Sequence, residues 1–362
     1  MPDPDKTGTT LQINLCAGDA DYAARTVPTL VRQFREQVEE VLVVVDECLP
    51  QASPVFRPRE RFDPQVFGDR LEKVRKLVSE WRVGGLVDRV ENISPGMDRI
   101  RQINRKYTGW GTGWTHDHWG HAFTAYFAGW ELARGRFILH ADADIFLYDG
   151  TGGRWLEEAV VRLEREENLL AVSPRIAPPI GGEKNSRMVR IGEKDAAWLP
   201  TWRLEAGPDG WRSDWLSTRF HLLDRKKLNR LRPLHGKSGA LGNTWAYGVN
   251  ALLFPLYGRR AWTAGQSPDA VPEILHRIFR KMAHHWIPPF PLPPEVLVHE
   301  ENQKEGMKVL YLNREDLWFV HPETKPKEFL EVLENLLTKV PKGECPEGQR
   351  GLGGIQFGMW KP

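Results

Sequence analysis

The stretch WELARGRFILHADADIF, residues 130–146, decides how the chain folds. Its first letters close a helix whose positions Ala122, Ala125, Tyr126, Gly129, Trp130 and Ala133 share one face. Thr115 stands at the expected cap of that helix, and Asp117 in its first turn suits the helix dipole. Gly135 has the place of a terminating glycine. Residues 136–141 then read as an apolar strand that runs out into Asp142, Ala143 and Asp144. A helix followed at once by a buried strand is the repeating unit of an α/β sheet.

The N-terminal side supplies the next piece. Residues 11–16 (LQINLC) form a short strand that ends in the loop Ala17–Asp21. Thr26 reads as an N-cap with Pro28 in the first turn, and Leu30, Val31, Phe34 and Val38 share a helical face. VLVVV at 41–45 is continuous and β-branched, as in a strand covered on both faces, and it stops at Asp46 and Glu47. Strand, helix and strand in this order make a βαβ unit of a mostly parallel sheet.

The alternation continues with helices at 68–81, 153–166, 271–284 and 326–339, and strands at 87–93, 168–173, 218–223, 308–312 and 317–320. Asp224 is placed to cap a helix that runs to Leu231. Residues 174–216 and 232–268 read as loop. The expected fold is α/β, a three-layer α/β/α sandwich around a mostly parallel, Rossmann-like sheet. Residues 1–10 read as a disordered lead, 11–175 and 176–340 as two halves of one domain, and 341–362 as an extended tail.

Composition narrows the classes. The 362 residues carry 50 basic against 48 acidic side chains, a net charge of +2, with 41% hydrophobic and 27% charged. That mixture excludes wholesale disorder. So small a net charge gives no bulk electrostatic grip on nucleic acid. No run approaches the roughly 18 apolar residues that span a bilayer. The start MPDPDKTGTT lacks a basic segment followed by an apolar one. Cys16, Cys48 and Cys345 have no CxxC spacing and fit a reducing compartment. The expected location is cytoplasmic, with peripheral membrane contact left open.

The chemistry concentrates at Asp142 and Asp144, since ligands of open α/β sheets bind at the carboxyl ends of the strands. Two hard carboxylates there suit Mg²⁺ or Mn²⁺, which retains waters and takes substrate phosphates. Such a cation offsets charge on a departing diphosphate.

With those residues in view, WELARGRFILHADADIF resembles the segment of GT-A-fold nucleotide-sugar glycosyltransferases that contains their DxD, and LQINLC with VLVVVDE resembles their nucleotide-binding half. The resemblance implies a GT-A-like fold and a metal-dependent transfer of a sugar from a nucleotide-diphosphate donor to an acceptor hydroxyl, such as that of a carbohydrate. It makes 11–175 the nucleotide-sugar half and 176–340 the acceptor half. It implies that Asp142 faces the ribose or the metal and that Asp144 binds the metal. Asp46 would contact base or ribose, and the loop bearing Asp19 and Asp21 would line the nucleotide pocket. The segment DLWFVHPETKP, 316–326, resembles part of glycogenin-like enzymes, which implies His321 as a third metal ligand and Lys325 with Pro326 at the diphosphate. Two features depart from the pattern. Tyr126 and Phe127 stand where many family-two members carry Arg-Asn, and no Glu-Asp pair offers itself as a base. Asp214 is the candidate general base.

Blander readings stand beside these. The acidic triplet also fits a solvated turn, Asp46 a strand-end turn, Asp214 a loop residue and His321 a structural histidine. His116, His118 and His121 read as helix-start packing, because no further ligand set completes a zinc site. Among the 15 Trp, Trp110, Trp114, Trp119 and Trp130 read as core, whereas Trp198, Trp202, Trp211 and Trp215 read as a sugar-facing platform. Two rival functions remain. A nucleotidyltransferase that makes nucleotide-sugars would want a Gly-rich, basic loop where LCAGDADYAAR stands. A non-catalytic carbohydrate-binding protein would not need the acidic triplet.

Overall fold

In the computed structural model, which describes residues 8–50, 63–117, 120–179, 205–235, 292–325 and 327–361, VLVVV lies inside a nine-stranded sheet. It belongs to β2 (Glu40–Asp46), every residue of which is buried. β2 lies between β1 (Thr9–Cys16) and β3 (Arg89–Ile93), and β1 pairs on its other side with β4 (Phe137–Asp142). These four strands are parallel. Beyond β4 the order continues through β10 (Phe220–Asp224), β6 (Leu169–Ser173), β11 (Lys308–Leu312), β9 (Gly210–Ser213) and β8 (Glu205–Gly207). β10 is antiparallel to both neighbours, β11 is parallel to β6, and the β8–β9 hairpin closes the far edge antiparallel. All strands except β9 and β10 therefore point one way. The expected α/β class and mostly parallel central sheet are both present.

A smaller sheet takes over where two strands leave the large one. β5 (Phe146–Asp149) begins just past Asp144, and β7 (Arg175–Ile176) just past β6, and both pair with β12 (Leu317–Val320). The carboxyl edge of β4 is thus the point at which the chain turns from one sheet to the other.

The helices are α1 (Ala23–Phe34), α2 (Pro64–Val83), α3 (Asp98–Thr108), α4 (Thr124–Leu132), α5 (Arg154–Arg165), α6 (Arg225–Leu231), α7 (Pro294–Glu305) and α8 (Lys327–Lys339). Asp63 caps α2 by accepting from the amides of Gln65 and Val66, with Pro64 in the first turn, where its missing N–H costs nothing. Asp224 caps α6 as expected, at 2.9 Å from the Lys226 amide. The Lys227 ammonium satisfies the carbonyls of Leu163, Glu166 and Leu169, closing the end of α5 from outside. The core packs Trp130, Trp155, Phe34, Phe127 and Phe220, all fully buried, and Tyr107 stacks on Phe127 with ring centroids 4.8 Å apart.

Several local expectations change. Strand β1 begins at Thr9, inside the stretch read as a lead. Helix α1 starts at Ala23, so Thr26 lies within it, bonding back to the Tyr22 carbonyl rather than capping. The helix expected from Thr115 to Arg134 is the shorter α4, preceded by α3 and an irregular loop. The left-handed Gly109 (φ 79°) ends α3. The Thr115 carbonyl then accepts from the amides of Phe123 and Thr124, so the loop closes on itself and the helix starts only after it. Gly135 does not adopt a left-handed cap. A Cβ there would come within 2.4 Å of the Gly8 carbonyl, so this glycine admits the start of β1.

Past α8, residues 340–360 fold back as short turns. The Trp360 indole donates to Gln349 Oε1 at 2.9 Å, and His321 pairs its backbone with Gly353 and Ile355. No helix among the described residues is long and apolar enough to cross a membrane.

Candidate active site at the carboxyl edge of the sheet

Parallel pairing sets the ends of β1, β2 and β4 side by side, in the registers Cys16 to Asp46 and Asn14 to Asp142. β10 runs the other way, so its start reaches the same edge, and the Arg219 carbonyl accepts from the Asp142 amide at 2.9 Å. The end of β12 leads into His321 and Lys325. Asp19, Asp46, Asp142, Asp144 and Lys325, separated in the sequence by up to 306 residues, meet here.

Asp142 is held on all sides. Its Oδ1 accepts from the Tyr126 hydroxyl at 2.9 Å and faces His140 Nε2 at 3.2 Å, and its Oδ2 meets Arg219 Nη1 at 3.0 Å. His140 is fixed in turn by Gln12, whose amide donates to Asn14 Oδ1 at 2.6 Å. Gly129 on α4 leaves room for this network, since a Cβ there would meet the Gln12 side chain at 2.4 Å. Burial pushes the Asp142 carboxyl up, but the His140 hydrogen bond and the charges of Arg219 and His140 outweigh it and hold the group below the ordinary range. Tyr126, the residue that departs from the family-two pattern, thus orients the first aspartate of the triplet.

Asp144 is different. It is 1% exposed, and among the described residues its Oδ1 has no partner. Its Oδ2 lies 2.9 Å from Lys325 Nζ as an ion pair. The same ammonium reaches Asp19 Oδ1 at 3.1 Å and the Tyr22 hydroxyl. Burial lowers the Lys325 ammonium, but Asp19 and Asp144 outweigh that and raise it. Buried carboxylate oxygens with open lone pairs fit a divalent cation. Among the described residues no group of three or more His, Cys, Asp or Glu is arranged to cage one. The fit is therefore to Mg²⁺ or Mn²⁺ held by Asp144 and completed by water and phosphate oxygens. Asp142 has its acceptors already in use. The His321 imidazole is held below its ordinary value, first by burial and then by Arg219, in the shared field of Asp144 and Asp142, and its Nδ1 faces the Pro322 carbonyl at 3.2 Å.

Asp46 accepts from the Cys48 amide at 2.9 Å through Oδ1, while Oδ2 has no hydrogen bond and lies 3.6 Å from His116 Nε2. Burial pushes the Asp46 carboxyl up to about 7 and holds the His116 imidazole down to about 3. Asp21 pairs with Arg70 at 2.9 Å, and Arg70 also donates to the carbonyls of Ala17 and Gly18, so α2 braces the first loop.

Other expected residues fall elsewhere. Asp214 is not brought to this edge. It pairs with Lys308 at 2.8 Å, at the start of β11 and the opposite end of the sheet. Trp211 packs under Arg175 and Trp215 is buried beside His299, so neither forms an open platform. Trp130 is core. His118, Trp119, Trp198, Trp202, Pro326 and the helix expected at 271–284 lie outside the described residues.

A residue unforeseen from the sequence is Glu295, in the first turn of α7. Its Oε1 accepts from the Thr218 hydroxyl beside Arg219, and burial pushes its carboxyl up. The His121 imidazole is raised by its hydrogen bond to Asp117, 3.1 Å away, and feels both Glu295 and Arg219. The readable signal for Glu295 is an acidic first turn after a proline run. No protein-family model matches the chain, and no curated protein matches it either.

Proposed function

We propose that the protein is a metal-dependent glycosyltransferase of GT-A-like, three-layer architecture, which moves a sugar from a nucleotide-diphosphate donor to an acceptor hydroxyl, for example of a carbohydrate, in the cytoplasm. One observation carries this reading: a buried carboxylate with unsatisfied oxygens, Asp144, at the carboxyl edge of a parallel sheet, within ion-pair distance of Lys325. Asp46 and the loop bearing Asp19 and Asp21 receive the nucleoside, and Asp142 is oriented toward the ribose by Tyr126 and His140. Asp144, with Asp142 and His321 at its margin, would hold Mg²⁺ or Mn²⁺, which when bound supplies positive charge against the departing diphosphate. Lys325 and Arg219 add two cations of the chain itself on the same side.

Glu295 takes the role assigned from sequence to Asp214. Its carboxylate accepts the proton of the acceptor hydroxyl as that oxygen attacks the sugar carbon, and its raised affinity for protons suits a base. The test is turnover of UDP-, GDP-, CDP- and dTDP-sugars with Mn²⁺ or Mg²⁺, following nucleoside diphosphate against pyrophosphate. Metal-dependent release of nucleoside diphosphate is expected, and Asp144→Ala should lower it on the order of 10²–10³-fold. Pyrophosphate release, or turnover untouched by Asp144→Ala, breaks the reading.

A further inference from the structure

We propose that Lys325 is an internal counter-ion that occupies Asp144 until the diphosphate of a donor draws it away, so that divalent cation and donor bind as a coupled pair. This rests on the glycosyltransferase reading and adds to it a competition within the resting protein.

The contacts of Lys325 are unequal. Asp19 has other donors besides it, the Cys16 amide at 2.7 Å and the Tyr22 hydroxyl. Among the described residues Asp144 has the ammonium alone as partner, at 2.9 Å from Oδ2. If Lys325 swings away, Asp19 stays satisfied while Asp144 is left as a buried bare carboxylate. A bare buried charge is costly, so a replacement cation is favoured at that moment. Lys325 also has a path toward solvent, since its side chain is 37% exposed and that of Asp144 only 1%. The segment that carries it, between β12 and α8, runs past the loop that holds Asp19, and Nζ sits 4.9 Å over the Tyr22 ring. A phosphate arriving at this loop offers the ammonium a stronger partner than a shared carboxylate.

The thermodynamics follow from exclusion. Ammonium and divalent cation cannot both hold Asp144 Oδ2. A cation arriving alone at the open Oδ1 is repelled by the ammonium on Oδ2 of the same carboxylate, whereas with diphosphate present Lys325 has already left. Diphosphate therefore tightens cation binding, and by reciprocity the cation tightens diphosphate binding by the same factor.

Titration of the full chain with Mn²⁺, read by calorimetry and by the EPR signal of free Mn²⁺, with and without UDP or GDP, tests this. In the unaltered protein a nucleoside diphosphate should tighten Mn²⁺ binding about tenfold, within the usual range of such couplings. Lys325→Met should bind Mn²⁺ alone about tenfold more tightly than the unaltered protein, and its gain from diphosphate should shrink to what direct ligation by the phosphate oxygens supplies. Lys325→Gln, which keeps a polar side chain, should behave like Lys325→Met if the latter folds poorly, and Lys325→Arg should retain the coupling. If the unaltered protein shows the coupling and neither neutral variant binds Mn²⁺ alone more tightly, the internal counter-ion is overturned while the glycosyltransferase reading stands. If the unaltered protein binds no Mn²⁺ with either nucleotide, that reading fails, and the counter-ion with it.

Discussion

The two aspartates of one triplet, a single residue apart, live in opposite surroundings. Asp142 ends β4 and is gripped by side chains from three elements: Tyr126 from α4, His140 from its own strand and Arg219 from the approach to β10. Asp144 lies just beyond the strand, where the chain crosses to the smaller sheet, and among the described residues it faces one exchangeable ammonium and nothing else. The regular side of the site is built to stay in place, and the side past the strand end is built to change partners.

Removing each carboxylate should expose the contrast. Asp142→Ala leaves His140 and Arg219 without their acceptor, and a denaturant titration should show a loss of roughly 3 kcal/mol. Asp144→Ala should cost less than about 1 kcal/mol, because Lys325 keeps Asp19 and reaches water. Equal losses in the two variants would erase the distinction.

The next largest effect concerns pH. Asp46 is raised from 3.8 to about 7, so on a rising pH the unfolded chain releases this proton first, and stability falls between those values. His116 is lowered from 6.5 to about 3, so the unfolded chain takes up its proton first on a falling pH, and stability is lost below 6.5. Asp46→Asn should remove the alkaline loss and leave the acid one. At about pH 8 it should be more stable than the unaltered protein by on the order of 2 kcal/mol, as measured by chemical denaturation. An unchanged stability profile between about pH 5 and 8 would contradict this assignment. Smaller than the pH effect is Tyr126→Phe, which removes one of the donors on Asp142 and should cost about 1 kcal/mol, with a matching rise in the carboxyl pKa readable by NMR.

Much of the regular half was legible. VLVVV could only be a strand covered on both faces, and the acidic triplet marked the edge at which it ends. What escaped depends on pairing at a distance. Arg219 reaches Asp142 only because β10 runs antiparallel to β4, and nothing near residue 219 announces that direction. Glu295 lies behind a proline run and meets Thr218 across 77 residues. Thr115 and Asp117 have the letters of a helix start, yet the backbone uses Thr115 to close a loop and Asp117 to hold His121. His140 and Gln12 carry a local signal, polar letters in otherwise apolar strands whose side chains are wholly buried.

The backbone of His321 is held on both sides by the last turns, its amide by Gly353 and its carbonyl by Ile355. Asp19 and Asp144 precede Lys325 by long stretches of sequence, and the turns that steady the Lys325 segment follow it. The charge balance at Asp19 and Asp144 is therefore completed only when the segment after β12 docks on the first loop.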